Sequence, residues 1–317
     1  MRIAFYAPLK PPDHPVPSGD RRMAQLFLRA LTLAGHEPFL AARLRSYDRD
    51  GDPRRQMRLA VLGARVAQRL CRRCRDAPPD LWFTYHLYHK APDWIGPRVA
   101  DAFAIPYVVA EASSAARQQS GRWALGHRAA TEAIRRADRI VGVNPADRAG
   151  IEPLLRDPAR WVPFGPFLDA APFAAGRRPM AGGVGQKARL ITVAMMREGD
   201  KLASYRLLGA ALRRLLDLPW SLEIVGDGPA RVAVAAALAG LGGRLYWAGE
   251  RDPRDLAGRL AAADLFVWPA INEAFGMALL EAQASGLPVV AGAAGGVGAV
   301  VVSGVTGLLV PPGDADA

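Results

Sequence analysis

Residues 264–291 read DLFVWPAINEAFGMALLEAQASGLPVVA. A short apolar run ends at Trp268, a turn containing Pro269 follows, a helical pattern begins near Gly276, and a second apolar run occupies 287–291. Strand, helix and strand in succession make a βαβ unit, which needs parallel strands with helices over both faces. The same alternation extends outward. Ahead of this stretch lie strand candidates at 189–195, 220–225 and 244–248, with helical patterns at 203–216, 229–241 and 253–262. Behind it, GLLV at 307–310 reads as another strand, and the chain stops at PPGDADA with no closing helix. A separate series occupies the first half. Its strands are expected at 2–7, 37–42, 80–85, 105–110, 139–143 and around 160–162, and its helices at 21–34, 54–75, 92–103, 121–136 and 145–155.

Between the two series, residues 163–186 are dense in Pro, Gly and Ala and show no sustained period, as a connection does. The expected fold class is therefore α/β, with two Rossmann-like parallel-sheet domains, 1–165 and 189–317, a linker over 166–188, and a C-terminal end cut short. In such sheets ligands bind beyond the carboxyl ends of the strands, and two such edges are expected to face a cleft.

Composition removes several classes. Half of the 317 residues are hydrophobic and 22% are charged, which excludes a disordered chain. Two cysteines, Cys71 and Cys74, cannot frame a disulfide scaffold, and Cys71-Arg72-Arg73-Cys74 has no second ligand pair for zinc. No apolar run reaches the length of a spanning helix, and the start lacks a signal-peptide stretch, so a soluble, cytoplasmic protein is expected. Through Asp169 there are 27 basic against 17 acidic residues, and afterwards 14 against 13, so the first half holds nearly all of the +11 charge. That imbalance favours an anionic partner for the first half; an Arg-rich genome accounts for Arg over Lys but not for the asymmetry. Eight arginines fall within 54–75, and Arg54, Arg58, Arg65, Arg69 and Arg72 share one helical face. That face is either solvated or a reversible contact with an anionic membrane.

Several patterns mislead. Asp48-Arg49-Asp50 and Asp50-Gly51-Asp52 imitate an Asp-x-Asp metal motif but sit in a hydrophilic loop, where solvated side chains are expected. Gly182, Gly183 and Gly185 resemble a phosphate cradle but precede a strand instead of joining strand to helix. No G-x-G-x-x-G follows the first strand, which counts against a dinucleotide enzyme.

The chemistry concentrates at 269–291. Glu273 and Glu281 are separated by seven residues, the first in the turn and the second about five residues into the helix. The helix start presents backbone N–H groups at Gly276, Met277 and Ala278, and glycine lets an anion approach closely. Two carboxylates around such an anion site suit a nucleotide diphosphate bearing a sugar. An ordinary amphipathic helix with a dipole-paired Glu273 fits the same spacing.

This E-x7-E segment, with GGVGAVVVSGVTGLLVPPGD (295–314), EIVGDGPAR (223–231) and the loop PVPSGDRRMAQLFLRALTLAGHEP (15–38), resembles the retaining glycosyltransferases of family 4, which have the GT-B fold. The resemblance is strong from about 189 to 314 and looser before that. It implies that Glu281 holds the ribose hydroxyls, that Glu273 lies near the donor sugar, and that Phe275, Gly276 and Met277 meet the diphosphate. It further implies that Arg197 and Lys201 neutralise that diphosphate, although their spacing is shorter than the family's. In the first half it implies that Gly19 brings backbone to the donor phosphate and that His86 contacts the donor sugar, with His89 as a competitor. The activity implied is retaining transfer of a sugar from a nucleotide diphosphate sugar to a hydroxyl on a glycan or lipid-linked acceptor, in bacterial polysaccharide or lipid-linked glycan synthesis. No cofactor, metal or nucleic acid is implied, and contact with the membrane's inner face is only the alternative that the arginine-rich helix leaves open. A nucleotide-sugar epimerase, a phosphorylase of the same fold, or an inactive nucleotide-sugar-binding fragment remain alternatives.

Overall fold

The first sheet is built outward from β1 (Arg2–Tyr6), whose residues from Ile3 on are buried on both faces, as a central parallel strand requires. It pairs on one side with β2 (Glu37–Leu40) and on the other with β3 (Leu81–Leu87). Beyond β3 come β4 (Tyr107–Ala112), β5 (Arg139–Gly142) and β6 (Trp161–Pro163), all parallel. The order is β2-β1-β3-β4-β5-β6. The computed structural model describes residues 1–16, 18–174, 187–273 and 276–316.

Helices α1 (Gly19–Leu33), α2 (Pro53–Arg73), α3 (Gly96–Phe103) and α4 (Ala124–Arg136) cover this sheet. Ser18 caps α1 by accepting from the Arg21 amide at 3.2 Å, and Asp52 caps α2 ahead of Pro53. Leu59, Gly63, Ala67 and Leu70 form the buried stripe of α2. At Gly63 a β-carbon would lie 2.3 Å from Cβ of Trp94, so only glycine lets the helix sit that close. The helix expected over 145–155 is instead a 3₁₀ turn (Pro145–Asp147), a short α5 (Arg148–Ile151) and another 3₁₀ turn (Glu152–Leu154). Pro153 lacks the amide that would continue α5. The Asp48 expectation is also corrected. Its carboxylate is buried, accepts from Gln56 Nε2 at 2.9 Å and from the Asp50 amide at 3.3 Å, and ties the loop to α2.

The chain divides into two compact units, Met1–Gly165 and Pro166–Ala317. In the second, β7 (Ala188–Val193) pairs with β8 (Trp220–Val225), and β8 with β9 (Leu245–Gly249). On its other side β7 pairs with β10 (Leu265–Trp268), followed by β11 (Val289–Gly292) and β12 (Gly307–Val310), giving the order β12-β11-β10-β7-β8-β9. Helices α6 (Asp200–Arg213), α7 (Arg231–Ala237), α8 (Pro253–Ala262) and α9 (Met277–Ala284) connect the strands. Phe173, in a 3₁₀ turn within the expected linker, is buried in this unit's core. Residues 175–186 of that linker, which include Gly182, Gly183 and Gly185, and Phe275 lie outside the described residues.

Each sheet reverses direction once: the chain leaves β1 for β2 and returns to β3, and it leaves β7 for β8 and β9 and returns to β10. The crevices of the two sheets therefore open beyond β1 and β3 and beyond β7 and β10.

Candidate functional site

The loop leaving β7 and the loop leaving β10 carry the second unit's candidate residues. Lys201, the second residue of α6, makes an ion pair through Nζ with Oε2 of Glu273. Trp268, the last residue of β10, donates its indole N–H to the same oxygen at 3.1 Å. Lys201 Nζ also lies 5.5 Å from the Trp268 ring centre, within cation–π range. Tyr205 packs edge-on against that ring at 5.1 Å and donates its hydroxyl to the Ala194 carbonyl at 2.9 Å. One carboxylate, one ammonium and one indole thus form a closed unit resting on a buried tyrosine.

The backbone around Glu273 is held by several elements. Ala270 and Asn272 adopt left-handed φ values of 57° and 50°. The Ile271 amide donates to Ser204 Oγ at 3.0 Å, and Asn272 Nδ2 donates to Asp200 at 3.0 Å, so α6 carries the turn. From the other side, the Gly296 amide donates to the Glu273 carbonyl at 3.1 Å. Gly295, at φ +55°, approaches so closely that a β-carbon would lie 2.1 Å from that carbonyl oxygen. These strained turn residues persist because the surroundings over-determine them, as at binding sites generally.

Gly276 precedes α9 with φ +70°, Met277 opens the helix, and Glu281 is its half-buried fifth residue. The first turn of α9 therefore leaves N–H groups without intrahelical partners in the crevice of this sheet. Arg197 is exposed and has no ion-pair partner among the described residues. Gly226 and Gly228 bring the β8 loop against the carbonyls of Ala194 and Met196, and the Met196 amide donates to Asp227 at 2.9 Å. The sequence singled out Lys201 and Glu273 but did not reveal their pairing. It missed Trp268, Ser204, Asn272 and Gly295, although Trp268 ends the strand that the motif follows.

In the first unit, His86 lies near the carboxyl end of β3 with φ +61°. Its Nδ1 is 3.1 Å from Asp20, the residue after Gly19 in α1, and 3.7 Å from Glu111 in β4. Burial pulls the His86 pKa down, but Glu111, Asp20 and Asp147 outweigh it and the net direction is up. Burial would raise Asp20, yet its contact with His86 leaves it lowered. Asp147, after β5, is pushed up to about 6 by burial and by Glu111. His89 goes the other way, down to about 4, through burial and then Lys90. The two histidines are thus electrostatic opposites, and only His86 joins the cluster at the β1–β3 crevice. Gly19 has open space where a β-carbon would stand, so nothing in the protein crowds its backbone. The sequence had no signal for Glu111 or Asp147, which reach His86 from β4 and from the turn after β5.

Among the described residues, no group of three or more His, Cys, Asp and Glu could hold a metal ion, and no helix is long and apolar enough to cross a membrane.

Residues 187–317 match the family profile described as Glycosyl transferases group 1. A D-inositol 3-phosphate glycosyltransferase of Geodermatophilus obscurus is 30% identical over 257 residues, 73% of this chain and 56% of that protein. One from Mycobacterium marinum is 33% identical over 202 residues, 58% of this chain and 41% of that protein. The chain therefore spans about half the length of these relatives. Among solved structures, a glycosyltransferase from Rickettsia africae has a TM-score of 0.74 at 15% identity, covering 100% of this chain and 85% of that one. Sucrose-phosphate synthase from Thermosynechococcus elongatus has 0.69 at 21%, covering 100% and 87%. Anabaena HepE in complex with UDP and glucose has 0.64 at 18%, covering 99% and 87%. The chain has the GT-B fold, and over residues 187–317 it is similar to the group 1 glycosyl transferases.

Proposed function

We propose that this protein is a retaining glycosyltransferase of the family 4 type, which moves a sugar from a nucleotide diphosphate sugar to an acceptor hydroxyl. The observation that carries the reading is the Lys201–Glu273–Trp268 unit beside the start of α9, at the crevice of the second sheet. Anionic diphosphate suits that position: Arg197 and Lys201 supply positive charge, and the helix start supplies N–H groups with a favourable dipole. The bond from the anomeric carbon to the diphosphate breaks, and charge building on the leaving oxygens is stabilised by those groups. The acceptor oxygen bonds to the same face of that carbon, and its proton passes to a departing phosphate oxygen. No protein base and no metal ion is needed on this route. Glu273 orients the sugar and holds Lys201, Glu281 binds the ribose hydroxyls, and Gly276 and Met277, with Phe275 between Glu273 and them in sequence, receive the diphosphate. Gly19 and His86 are the first unit's contribution to donor handling.

The names of similar proteins add substrate classes to test. UDP and UDP-glucose occur in complexes of HepE, and the curated relatives are named for inositol 3-phosphate. An inositol phosphate is thus an acceptor class beside the glycan or lipid-linked acceptor, in synthesis at the cytoplasmic face of a bacterial membrane. The test is a panel of nucleotide sugars read by mass spectrometry for nucleotide release and sugar transfer, with the anomeric configuration of the product assigned by NMR. Glu273→Gln is expected to lower turnover about a hundredfold while leaving UDP affinity nearly unchanged. Turnover near that of the parent, or an inverted product, overturns the assignment.

A further inference from the structure

Helix α2 shows a feature beyond its arginine count. It is 21 residues long, about 30 Å, and contains seven arginines and no Asp or Glu. Its inner stripe, Leu59, Gly63, Ala67 and Leu70, is spent on the core of the first unit. Its outer face nevertheless carries large apolar side chains in the open: Met57 is 57% exposed, Val61 46% and Leu62 44%. At 100° per residue Arg54, Arg58, Arg65, Arg69 and Arg72 span an arc of about 60°, and Val61 and Leu62 border it about 20° outside either edge, away from the core side. A merely solvated face has no use for large aliphatic side chains on both of its edges, and burying them in the unit's own core is ruled out by the helix's orientation.

The surface continues into a pocket of about 490 Å³ beside the last two turns of α2. Its lining is mostly small and apolar, Ala64, Ala67, Cys71 and Ala102, with Arg72 and Arg98 at hand. Two guanidinium groups around an apolar floor match a phosphate on a glycerol or acyl stem.

We propose that the outer face of α2 is a docking surface for an anionic phospholipid bilayer, with Val61 and Leu62 entering the interface, the arginines meeting headgroup phosphates, and the Arg72–Arg98 pocket taking one headgroup. The charge complementarity chooses this occupant: a cationic face attracts an anionic surface, and aliphatic side chains exposed along its edges gain only where that surface has an apolar interior. The proposal does not depend on the sugar-transfer reading, because vesicle binding is measured without substrate.

The experiment is vesicle co-sedimentation of the 317-residue chain at about 0.1 M salt. Vesicles of phosphatidylcholine with about a quarter phosphatidylglycerol are expected to bind the parent, and pure phosphatidylcholine vesicles are not. Two variants separate the contributions, with circular dichroism reporting that each is folded. Val61→Ser with Leu62→Ser is expected to lower binding about tenfold with no change of charge. Arg58→Gln, Arg65→Gln, Arg69→Gln and Arg72→Gln together are expected to abolish it, while UDP affinity stays at the parent's value. Failure of the parent to bind anionic vesicles overturns the proposal. So does undiminished binding by the serine pair, which would make the face a general polyanion site, the alternative occupant then being a nucleic acid detected by gel shift with a single-stranded RNA.

Discussion

Glu273 is held at both ends, by Lys201 and Trp268 at the carboxylate and by Gly295 and Gly296 at the carbonyl. Gly295 combines a left-handed φ with a contact that no β-carbon can share, so Gly295→Ala must move the Glu273 turn. A cost of about 2 kcal/mol is expected in urea denaturation of the second unit, together with weakened UDP binding. His86 makes a second prediction. Its imidazolium is supported by Glu111, Asp20 and Asp147, so NMR titration should find it protonated above the ordinary histidine range, and Glu111→Gln should bring it back down. The stability from this contact is complete below the unfolded value near 6.5 and fades as pH rises through the folded value. Asp147 acts in the same sense, because a folded pKa of about 6 makes stability fall between about pH 4 and 6. Asp147→Asn should therefore raise stability at about pH 8 by about 1 kcal/mol, its half-exposed position screening much of the cost, and the gain should vanish below about pH 4.

At the scale of elements, α3 shows how one buried polar side chain starts a helix. Asp93 accepts from the Ile95 and Gly96 amides at 2.8 and 2.7 Å, and from the hydroxyls of Thr84 and Tyr107. Burial raises its pKa, while these hydrogen bonds oppose the rise. Asp93→Ala would strand two backbone amides and the Tyr107 hydroxyl in the core, at a cost of about 3 kcal/mol by urea denaturation. Asp93→Asn keeps one acceptor oxygen and should cost less. Hydrophobic period gave α2 and α6 nearly whole, because an amphipathic stripe is written along the chain. It failed over 145–155, where proline placement overrode the apolar spacing. Asp48 defeated it for another reason: three neighbouring polar residues look like a solvated loop until Gln56 of α2 is seen to bury one of them.

For the whole molecule, charge follows the division into units. Through Gly165 there are 27 basic and 16 acidic residues, and after it 14 and 14, so the entire +11 belongs to the first unit. Self-repulsion of that unit is screened as salt rises, whereas the second has no net charge to screen. Raising salt from about 0.05 to 0.5 M should therefore shift the thermal transition of the first unit upward and leave that of the second nearly in place. Each unit has its own hydrophobic core, so calorimetry should resolve more than one transition. A single transition with no salt dependence would contradict both statements.

The α/β class, the two six-strand series and the position of Glu273, Lys201 and Gly276 were determined by the sequence itself, because strand and helix periods and the residues at strand ends are local properties of the chain. The tertiary structure alone decided which histidine is pushed toward its charged form, since Glu111 and Asp147 reach His86 from strands and turns far away in sequence. It alone joined Lys201 to Glu273 across 72 residues and put Trp268 on the same oxygen. It also turned Val61 and Leu62 outward, a choice made by which stripe of α2 fits the sheet. Electrostatic environment and burial depend on what packs against a residue, and no spacing along the chain encodes that.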